Sequence, residues 1–410
     1  MMQRPSEQVP VTRLALAVIV VLYLAHALPL YFFNVAMPAI LRSQGVDLRW
    51  IGMLSLLYIP WAFKFLWAPL VDRHYLHSLG RRRTWLWLTQ AALVAGILLL
   101  ALTGLEHGLL LFVLVSLWIS TFAATQDIAI DGYTVESLAS DDHRLGSMAQ
   151  SIGVALGSMF GGAGVLWLYQ VVGWQSALLT LAGLSALTML AVARVDDRLP
   201  TQAEAAKPGF IATFKRPEIR WALLLILVYR LVEAPAMAML TPMLVDRQWS
   251  LTQIGLLMSV AGASVGLLAA VAAARLLLRQ RAATLLLRAG WLRSLAYLAM
   301  AGLLLSGLAD GSPLWIGAMV LVLLAIRYLA MTSLYALFMQ LCSRQQAGTD
   351  FTVLVCFELL VFFVGGSLSG FLAKGLGYET YYLLLGALSV LSVLLCKPIV
   401  RRIQAGTDNH

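Results

Sequence analysis

Charge and cysteine are both scarce in this chain. Charged residues make up 12% of its 410 residues, about half the share of a typical soluble protein. The three cysteines, Cys342, Cys356 and Cys396, form no metal-ligand spacing and predict no disulfide framework. The H-E-x-x-H pattern of zinc proteases is missing too. These absences argue against a soluble protein, an enzyme, a bound metal and a resident cofactor.

Hydrophobic residues make up 60% of the chain, and apolar runs of about 20 residues, long enough to cross a bilayer as helices, recur from end to end. We expect no cleavable signal, because the first run is too long for one. The sequence predicts an all-α membrane protein of about twelve membrane helices. Their predicted ranges are 14–38, 50–70, 84–103, 108–130, 146–170, 174–193, 219–241, 251–274, 284–306, 313–338, 351–372 and 379–396.

The chain contains nearly the same half twice. GWQSALLTLAGLSAL from Gly173 resembles GYETYYLLLGALSVL from Gly377, and Tyr23 and Pro29 match Tyr229 and Pro235. We therefore predict two pseudo-symmetric six-helix halves, 1–193 and 219–410, joined by a linker loop at 194–218. Two related halves that rock against each other expose a central site to each side in turn, which is the architecture of a secondary transporter.

Basic residues are concentrated in alternate loops. Those that would share a side with both termini hold most of the lysines and arginines, including Arg81, Arg82 and Arg83. By the positive-inside rule both termini are predicted to be cytoplasmic, in a bacterial inner membrane. The same rule accounts for the net charge of +9 without a nucleic-acid partner.

Ionisable residues inside predicted spans are functional candidates, because they are costly there and usually face the protein interior. Near the midplane we place His26, Arg230, Glu233 and Arg327. Nearer the cytoplasmic side we place Lys64, Asp127, Arg293 and Glu358.

The role of several of these charged residues has two interpretations. Arg230 and Glu233 are three residues apart and can pair, either as a fixed structural pair or as a pair that changes partner or protonation during transport. His26 is either a pH-sensitive group or a neutral, hydrogen-bonded histidine. Lys64 and Arg293 could instead extend to the membrane surface.

The predicted spans hold slightly more basic than acidic residues, together with aromatic residues such as Tyr23. This composition favours a cavity for an anionic or chelate-bearing, partly aromatic solute. Aromatic residues in spans also serve as anchors at the membrane surface.

Glycines recur at matched positions in the two halves. Gly153, Gly157 and Gly161 are spaced by four, and Gly365 and Gly366 occupy the corresponding part of the second half. Small residues let helix backbones approach closely. We interpret them as the seam along which the halves slide, with static packing as the alternative.

The loop after the second predicted span, WAPLVDRHYLHSLGRRRTW, holds Asp72, Arg73, Gly80 and Arg81. An aspartate and clustered arginines at helix ends can form salt bridges between helices that favour one gate state. Asp131, four residues after Asp127 at the cytoplasmic end of the fourth span, is either part of this gate or a solvated helix end.

FKFLWAPLVDR (Phe63 to Arg73), LGRRRTWL (Leu79 to Leu86) and ATQDIAIDGY (Ala124 to Tyr133) resemble the signatures of AmpG-like permeases, a branch of the major facilitator superfamily. The compact twelve-span form is most similar to the RhtX/FptX siderophore permeases of that branch. The resemblance implies functional roles for Lys64, Asp72, Arg73, Gly80, Arg81, Asp127 and Asp131.

The resemblance implies a monomeric, proton-driven importer of a siderophore or ferric-siderophore chelate, pyochelin-like, working by alternating access in the lipid bilayer. Its partners would be the chelate and protons. The alternatives within the class are a permease for muropeptides or acyl-CoA and a drug efflux transporter.

Overall fold

The computed structural model describes residues 13–44, 57–104, 108–196, 209–308 and 312–407, and these residues form helices and connecting loops without any strand. The predicted start of the second span, 50–56, and residues 197–208 of the predicted linker lie outside the described residues. A short helix, Phe210–Lys215, precedes the second half.

The first half contains six helices. Helix α1 spans Arg13–Leu41 and includes a π-helical turn, Phe32–Ala36, shortly after Pro29. Helix α2 is interrupted and consists of Ile59–Phe63, the 3₁₀ turn Lys64–Leu66 and Ala68–Arg73. Helices α3 and α4 span Arg81–Thr103 and Leu109–Ser137. Helix α5 begins at His143 and leads into α6, which ends at Ala193.

The second half repeats this order. Helix α7 spans Pro217–Asp246 and α8 spans Gln253–Leu276. Helices α9 and α10 span Ala282–Leu305 and Pro313–Leu341. Helices α11 and α12 share the stretch Ala347–Thr407.

Two glycines at matched positions of the repeat divide these long stretches. Gly173, with φ +79°, separates α5 from α6, and Gly377, with φ +73°, separates α11 from α12. Positive φ is strained for residues with a Cβ atom, so glycine allows the chain to leave one helix and enter the next without a loop. The two halves thus break at the same place.

Nine stretches of the described residues are long and apolar enough to cross a membrane. One of them, Ser140–Ala193, holds both α5 and α6. Together with the interrupted α2 and the arginine-bearing α9, the described residues contain twelve spans. The predicted all-α, twelve-helix architecture is therefore confirmed.

The surface of the bundle is apolar, as lipid contact requires. Large side chains such as Leu102, Leu190 and Leu314 are 65%, 69% and 73% exposed. Many polar side chains of the spans instead face inward; Gln90, for example, is fully buried and donates to Ser185 of α6.

The interpretation of the glycine seam is wrong, because these glycines pack within each half. A Cβ atom at Gly153 would meet Tyr23 of α1 at 2.5 Å, and one at Gly157 would overlap Ala27, also on α1. In the second half a Cβ atom at Gly365 would lie 3.0 Å from Ala234 of α7. The glycines join α5 to α1 and α11 to α7.

The halves contact each other at the side where both ends of the described chain lie, here called the terminal side. Its loops are 74–80, 138–142, 277–281 and 342–346. Arg81 donates to the backbone carbonyl of Gln345 at 2.9 Å. Deeper in the bundle Ser147 donates to the carbonyl of Thr332 at 2.6 Å.

Candidate functional site

The first of two buried charge clusters lies inside the first half, between α1, α2 and α4. Lys64, at the 3₁₀ turn that interrupts α2, donates to the carboxylate of Asp127 on α4. Nε2 of His26, on α1, lies 3.4 Å from Oδ1 of the same carboxylate. All three residues are at most 6% exposed. Lys64 therefore extends inward to a partner rather than outward to the membrane surface.

Asp131 belongs with this cluster, which corrects both its assignment to the gate loop and the alternative of a solvated helix end. It lies within α4 and is fully buried. The hydroxyl of Tyr23, on α1, donates to its Oδ1 at 2.8 Å. The four-residue spacing stacks Asp131 one helical turn from Asp127.

The second cluster lies inside the second half and joins α7 to α11. Arg230 contacts Glu233 on its own helix and Glu358 on α11. All three side chains are at most 5% exposed. The spacing of three predicted the first contact, whereas the partner on α11 is 128 residues distant from Arg230 along the chain and gave no local signal.

Arg293, on α9, completes this cluster; the sequence analysis named it as a candidate and left extension to the membrane surface open. Its side chain is 3% exposed and lies 3.7 Å from Oε2 of Glu233. It also donates to the backbone carbonyl of Tyr229 at 2.9 Å and lies over that tyrosine ring. Its Nε donates to the hydroxyl of Ser389, on α12, at 3.0 Å. Arg293 therefore points into the bundle and does not extend to the membrane surface.

Arg327, on α10, is the most accessible cation of the second cluster. Its side chain is 32% exposed, and its Nε lies 3.7 Å from Oε1 of Glu233, which is longer than a hydrogen bond. The guanidinium lies over the ring of Phe362. Tyr31 of the first half is within electrostatic range of Arg327 and Tyr328. An accessible guanidinium among aromatic rings can receive a carboxylate or phosphate.

The second cluster carries surplus positive charge. It contains three arginines and two glutamates, which are the carboxylates that contact them. In a low-dielectric interior such a surplus attracts an anion strongly.

A third network joins the halves at the terminal side. Nη1 of Arg82 lies 2.7 Å from Oδ1 of Asp72, and Arg82 also donates to Glu136 from Nε at 3.0 Å. Arg81 binds Glu136 at 2.6 Å as well. The other oxygen of Asp72 accepts from the backbone amide and the hydroxyl of Thr349 at 2.8 Å and 2.6 Å.

The predicted gate residues are thus only partly brought together. Asp72 and Arg81 lie in this network, whereas Arg73 is exposed. Gly80, with φ +96°, precedes the first turn of α3, where its lack of a Cβ atom allows the turn. Sequence reasoning missed Arg82, Glu136 and Thr349. Arg82 was visible as part of the arginine triplet, but nothing in the triplet distinguishes the fully buried arginine.

The described residues contain no group of histidine, cysteine and acidic side chains that could hold a metal ion. One G-x-S-x-G pattern, residues 262–266, lies inside α8. A hydrolase nucleophile of this pattern needs a sharp turn from strand to helix, whereas the hydroxyl of Ser264 donates to the carbonyl of Val260 one helical turn earlier. This serine is a helix residue.

Comparison with known proteins adds a family match and several relatives. The family model of the Major Facilitator Superfamily matches residues 19–358. The Anhydromuropeptide permease of Escherichia coli (strain K12) is 28% identical, over 92% of this chain and 78% of its own.

Two solved structures share the fold. The human organic anion transporter MFSD10 (TETRAN) has a TM-score of 0.70 at 17% identity, covering 96% of this chain and 100% of its own. The transporter FucP in the outward conformation has a TM-score of 0.68 at 13% identity, covering 93% and 98%. At these identities the likeness shows the fold alone.

Proposed function

This chain belongs to the Major Facilitator Superfamily of secondary transporters, and from that premise we propose that it is a proton-coupled permease for an anionic solute of the muropeptide type. It is a transporter and not an enzyme. The proposal concerns the cargo, the direction of transport and the coupling ion.

The position of Arg327 carries the proposal. It is about one-third exposed, whereas Arg230 and Arg293 in the same cluster are buried against glutamates. Its cluster has one more cation than anion. A solute carboxylate that pairs with Arg327 would neutralise the surplus and gain a charge-assisted hydrogen bond.

The relatives support the muropeptide alternative over the siderophore prediction. The relative named above as an anhydromuropeptide permease aligns over 92% of this chain, and none of the relatives named above supports a siderophore or an iron chelate as cargo. Sugar–peptide solutes combine carboxylates with apolar faces that pack on aromatic rings. Phe362, whose ring lies against the Arg327 guanidinium, suits such a solute.

Charge and contacts together support import as the direction of transport. The terminal side carries the basic loops, so by the positive-inside rule it faces the cytoplasm. The contacts of Asp72 with Thr349 and of Arg81 with Gln345 close that side. A transporter closed on that side is in the state in which an importer would receive its solute from outside the cell.

A binding experiment tests the role of Arg327. We would titrate the purified protein in lipid nanodiscs with an anhydromuropeptide, with the same compound amidated at its carboxylates, and with ferric pyochelin. Because a hydrogen bond to a charged group contributes about 1.5–3 kcal/mol, amidation should weaken binding by about 10- to 100-fold.

The matched variants are Arg327→Gln and Arg275→Gln, the latter at an exposed arginine near the terminal end of α8. Arg327→Gln should bind both muropeptide forms with equal, weak affinity, and Arg275→Gln should behave as the wild type. Equal binding of both forms by the wild type would contradict the carboxylate role. Binding of ferric pyochelin alone would restore the siderophore prediction.

A further inference from the structure

We propose that Asp131 carries the proton that drives transport; this rests on the proposed function above, whose coupling it explains. The sequence analysis offered Glu233, as part of a pair that could change protonation, and Asp127, as an ionisable residue inside a predicted span. The contacts of Glu233, Asp127 and Asp131 show which of the three can hold a proton.

The surroundings of Asp131 favour a bound proton. Its side chain is fully buried and one of its two oxygens, Oδ1, accepts from Tyr23 at 2.8 Å. Its Oδ2 has no hydrogen-bond partner among the described residues. A buried carboxylate needs several hydrogen bonds or a cation to compensate for lost hydration. A single hydrogen bond from a neutral hydroxyl does not compensate for the hydration that a charged carboxylate would lose.

The titratable and charged groups within electrostatic range of Asp131 come from several helices. They are Tyr23 on α1, Lys64 on α2, Arg82 on α3, Asp127 on α4, Tyr335 on α10, Cys342 just after α10 and Cys356 on α11. His26, on α1, lies within range of Asp127 and Lys64. Of the two cations, Arg82 already pairs with Asp72 and Glu136.

His26 does not supply the missing charge. Both of its ring nitrogens are buried and without a hydrogen bond among the described residues. Burial and the nearby Lys64 both oppose a charged imidazole, and the Asp127 carboxylate, 3.4 Å from Nε2, already pairs with Lys64. We therefore assign His26 the neutral form. Lys64 alone then faces two aspartates. It contacts Asp127 directly, which leaves the proton on Asp131.

The glutamates of the second cluster, unlike Asp131, each contact an arginine. Glu233 contacts Arg230 and lies 3.7 Å from both Arg293 and Arg327, and Glu358 contacts Arg230. Their negative charges are compensated by arginines that stay protonated. These glutamates can hold helices together and position the arginines without binding a proton.

The place of Asp131 along α4 connects it to the gate. Glu136, which binds Arg81 and Arg82, lies five residues further along the same helix, or about 7.5 Å toward the terminal side. Opening of the gate network would admit water from that side to Asp131. The O–H bond of the carboxyl group then breaks, the proton passes to a water molecule, and the remaining carboxylate is held by Tyr23 and by the nearby charge of Lys64.

Infrared spectroscopy of the protein in lipid tests this assignment without any solute. The wild type at neutral pH should show the C=O band of a protonated carboxyl group, and labelling with [4-¹³C]aspartate should shift that band. The band should be lost in Asp131→Asn. It should remain in Glu358→Gln, which removes a buried carboxylate that is paired with arginine.

Asp127→Asn provides a second variant if Asp131→Asn does not fold. Without Asp127, Lys64 would need Asp131 as its counter-charge, so the protonated band should disappear here too. A wild type without an aspartate-sensitive band, or a band that persists in Asp131→Asn, would overturn the proposal.

Transport by reconstituted protein then tests coupling. With an anhydromuropeptide as cargo, Asp131→Asn should lose accumulation driven by a proton gradient and retain exchange of labelled for unlabelled solute. Asp131→Glu should restore part of the accumulation. Equal loss of exchange and accumulation in Asp131→Asn would overturn the coupling role. Failure of the wild type to transport the muropeptide would reject the cargo, and the infrared result would still decide the proton site.

Discussion

One carboxylate oxygen of Asp72, at the end of α2, accepts both the backbone amide and the hydroxyl of Thr349, at the start of α11, at 2.8 Å and 2.6 Å. The other oxygen pairs with the buried Arg82. A single side chain thus connects the two halves at the terminal side and ties that connection to α3. Its negative charge compensates Arg82 and strengthens the hydrogen bonds from Thr349.

Asp72→Asn should shift the protein toward opening at the terminal side. The amide keeps an acceptor oxygen but loses the charge, and a hydrogen bond to a charged group contributes about 1.5–3 kcal/mol. We expect the ratio of open to closed protein to rise by about tenfold or more. Hydrogen exchange by mass spectrometry measures this directly, because the amide of Thr349 is itself a donor to Asp72.

The matched control is Arg73→Gln, which changes an exposed charge in the adjacent position. It should leave exchange of the 343–350 peptide unchanged. Solute binding should survive in Asp72→Asn while transport slows. If the exchange rate of that peptide is the same in Asp72→Asn and wild type, Asp72 does not hold the gate.

Lys64→Met should be strongly destabilising. It leaves Asp127 buried without its cation, and breaking a buried pair in this way costs about 3–5 kcal/mol. Asp127→Asn should cost less, because Lys64 keeps Asp131 nearby, and the double variant should regain part of the loss. Thermal unfolding of the solubilised protein measures the cycle.

Lys215→Met, at an exposed lysine of the short helix before α7, is the control for removal of a positive charge and should unfold as the wild type does. Additive effects of Lys64→Met and Asp127→Asn would show that the two side chains do not interact.

Gly157→Ala should destabilise the packing of α5 on α1. The new Cβ atom would overlap the Cβ atom of Ala27 and lie 3.0 Å from its carbonyl carbon. Neither atom can move without the helix, and overpacking of this kind costs about 1–3 kcal/mol. The control, Gly183→Ala on α6, adds a Cβ atom into open space and should be neutral or stabilising, since alanine favours helix by about 1 kcal/mol. Equal melting temperatures of the two variants would contradict the close approach.

Gly173→Ala tests the break between α5 and α6. No atom lies within 4 Å of a Cβ atom at this position, so any effect comes from the backbone. At φ +79° and ψ −180° a residue with a Cβ atom is strained by about 1–3 kcal/mol. We expect a lower melting temperature than for Gly183→Ala. A melting temperature as high as that of Gly183→Ala would mean that the break does not need glycine.

The features predicted from sequence are those carried by repetition and local spacing. The repeat placed Gly173 and Gly377 at equivalent positions, where the structure has equivalent breaks. The three-residue spacing brought Arg230 to Glu233. Both depend only on the chain near the residue or on a second copy of it, so a single sequence reveals them.

The features that sequence missed depend on which face of a helix turns inward. From the sequence, Asp131 was either a gate residue or a helix end near water, and the structure buries it against Tyr23, which is 108 residues away. Arg293 read as a side chain that could reach the membrane surface, yet it binds partners on α7 and α12. The glycines of α5 indicated that another helix packs closely on them, but not that this helix is α1, in the same half.

The most direct measurement is uptake of a radiolabelled anhydromuropeptide into proteoliposomes under a proton gradient, with a protonophore control. The wild type should accumulate the solute, the protonophore should abolish accumulation, and Arg327→Gln should reduce it by about tenfold or more, in line with the loss of one charge-assisted hydrogen bond. Ferric pyochelin should not accumulate. Gradient-driven accumulation of ferric pyochelin without that of the muropeptide, or uptake by Arg327→Gln at the wild-type rate, would contradict the account.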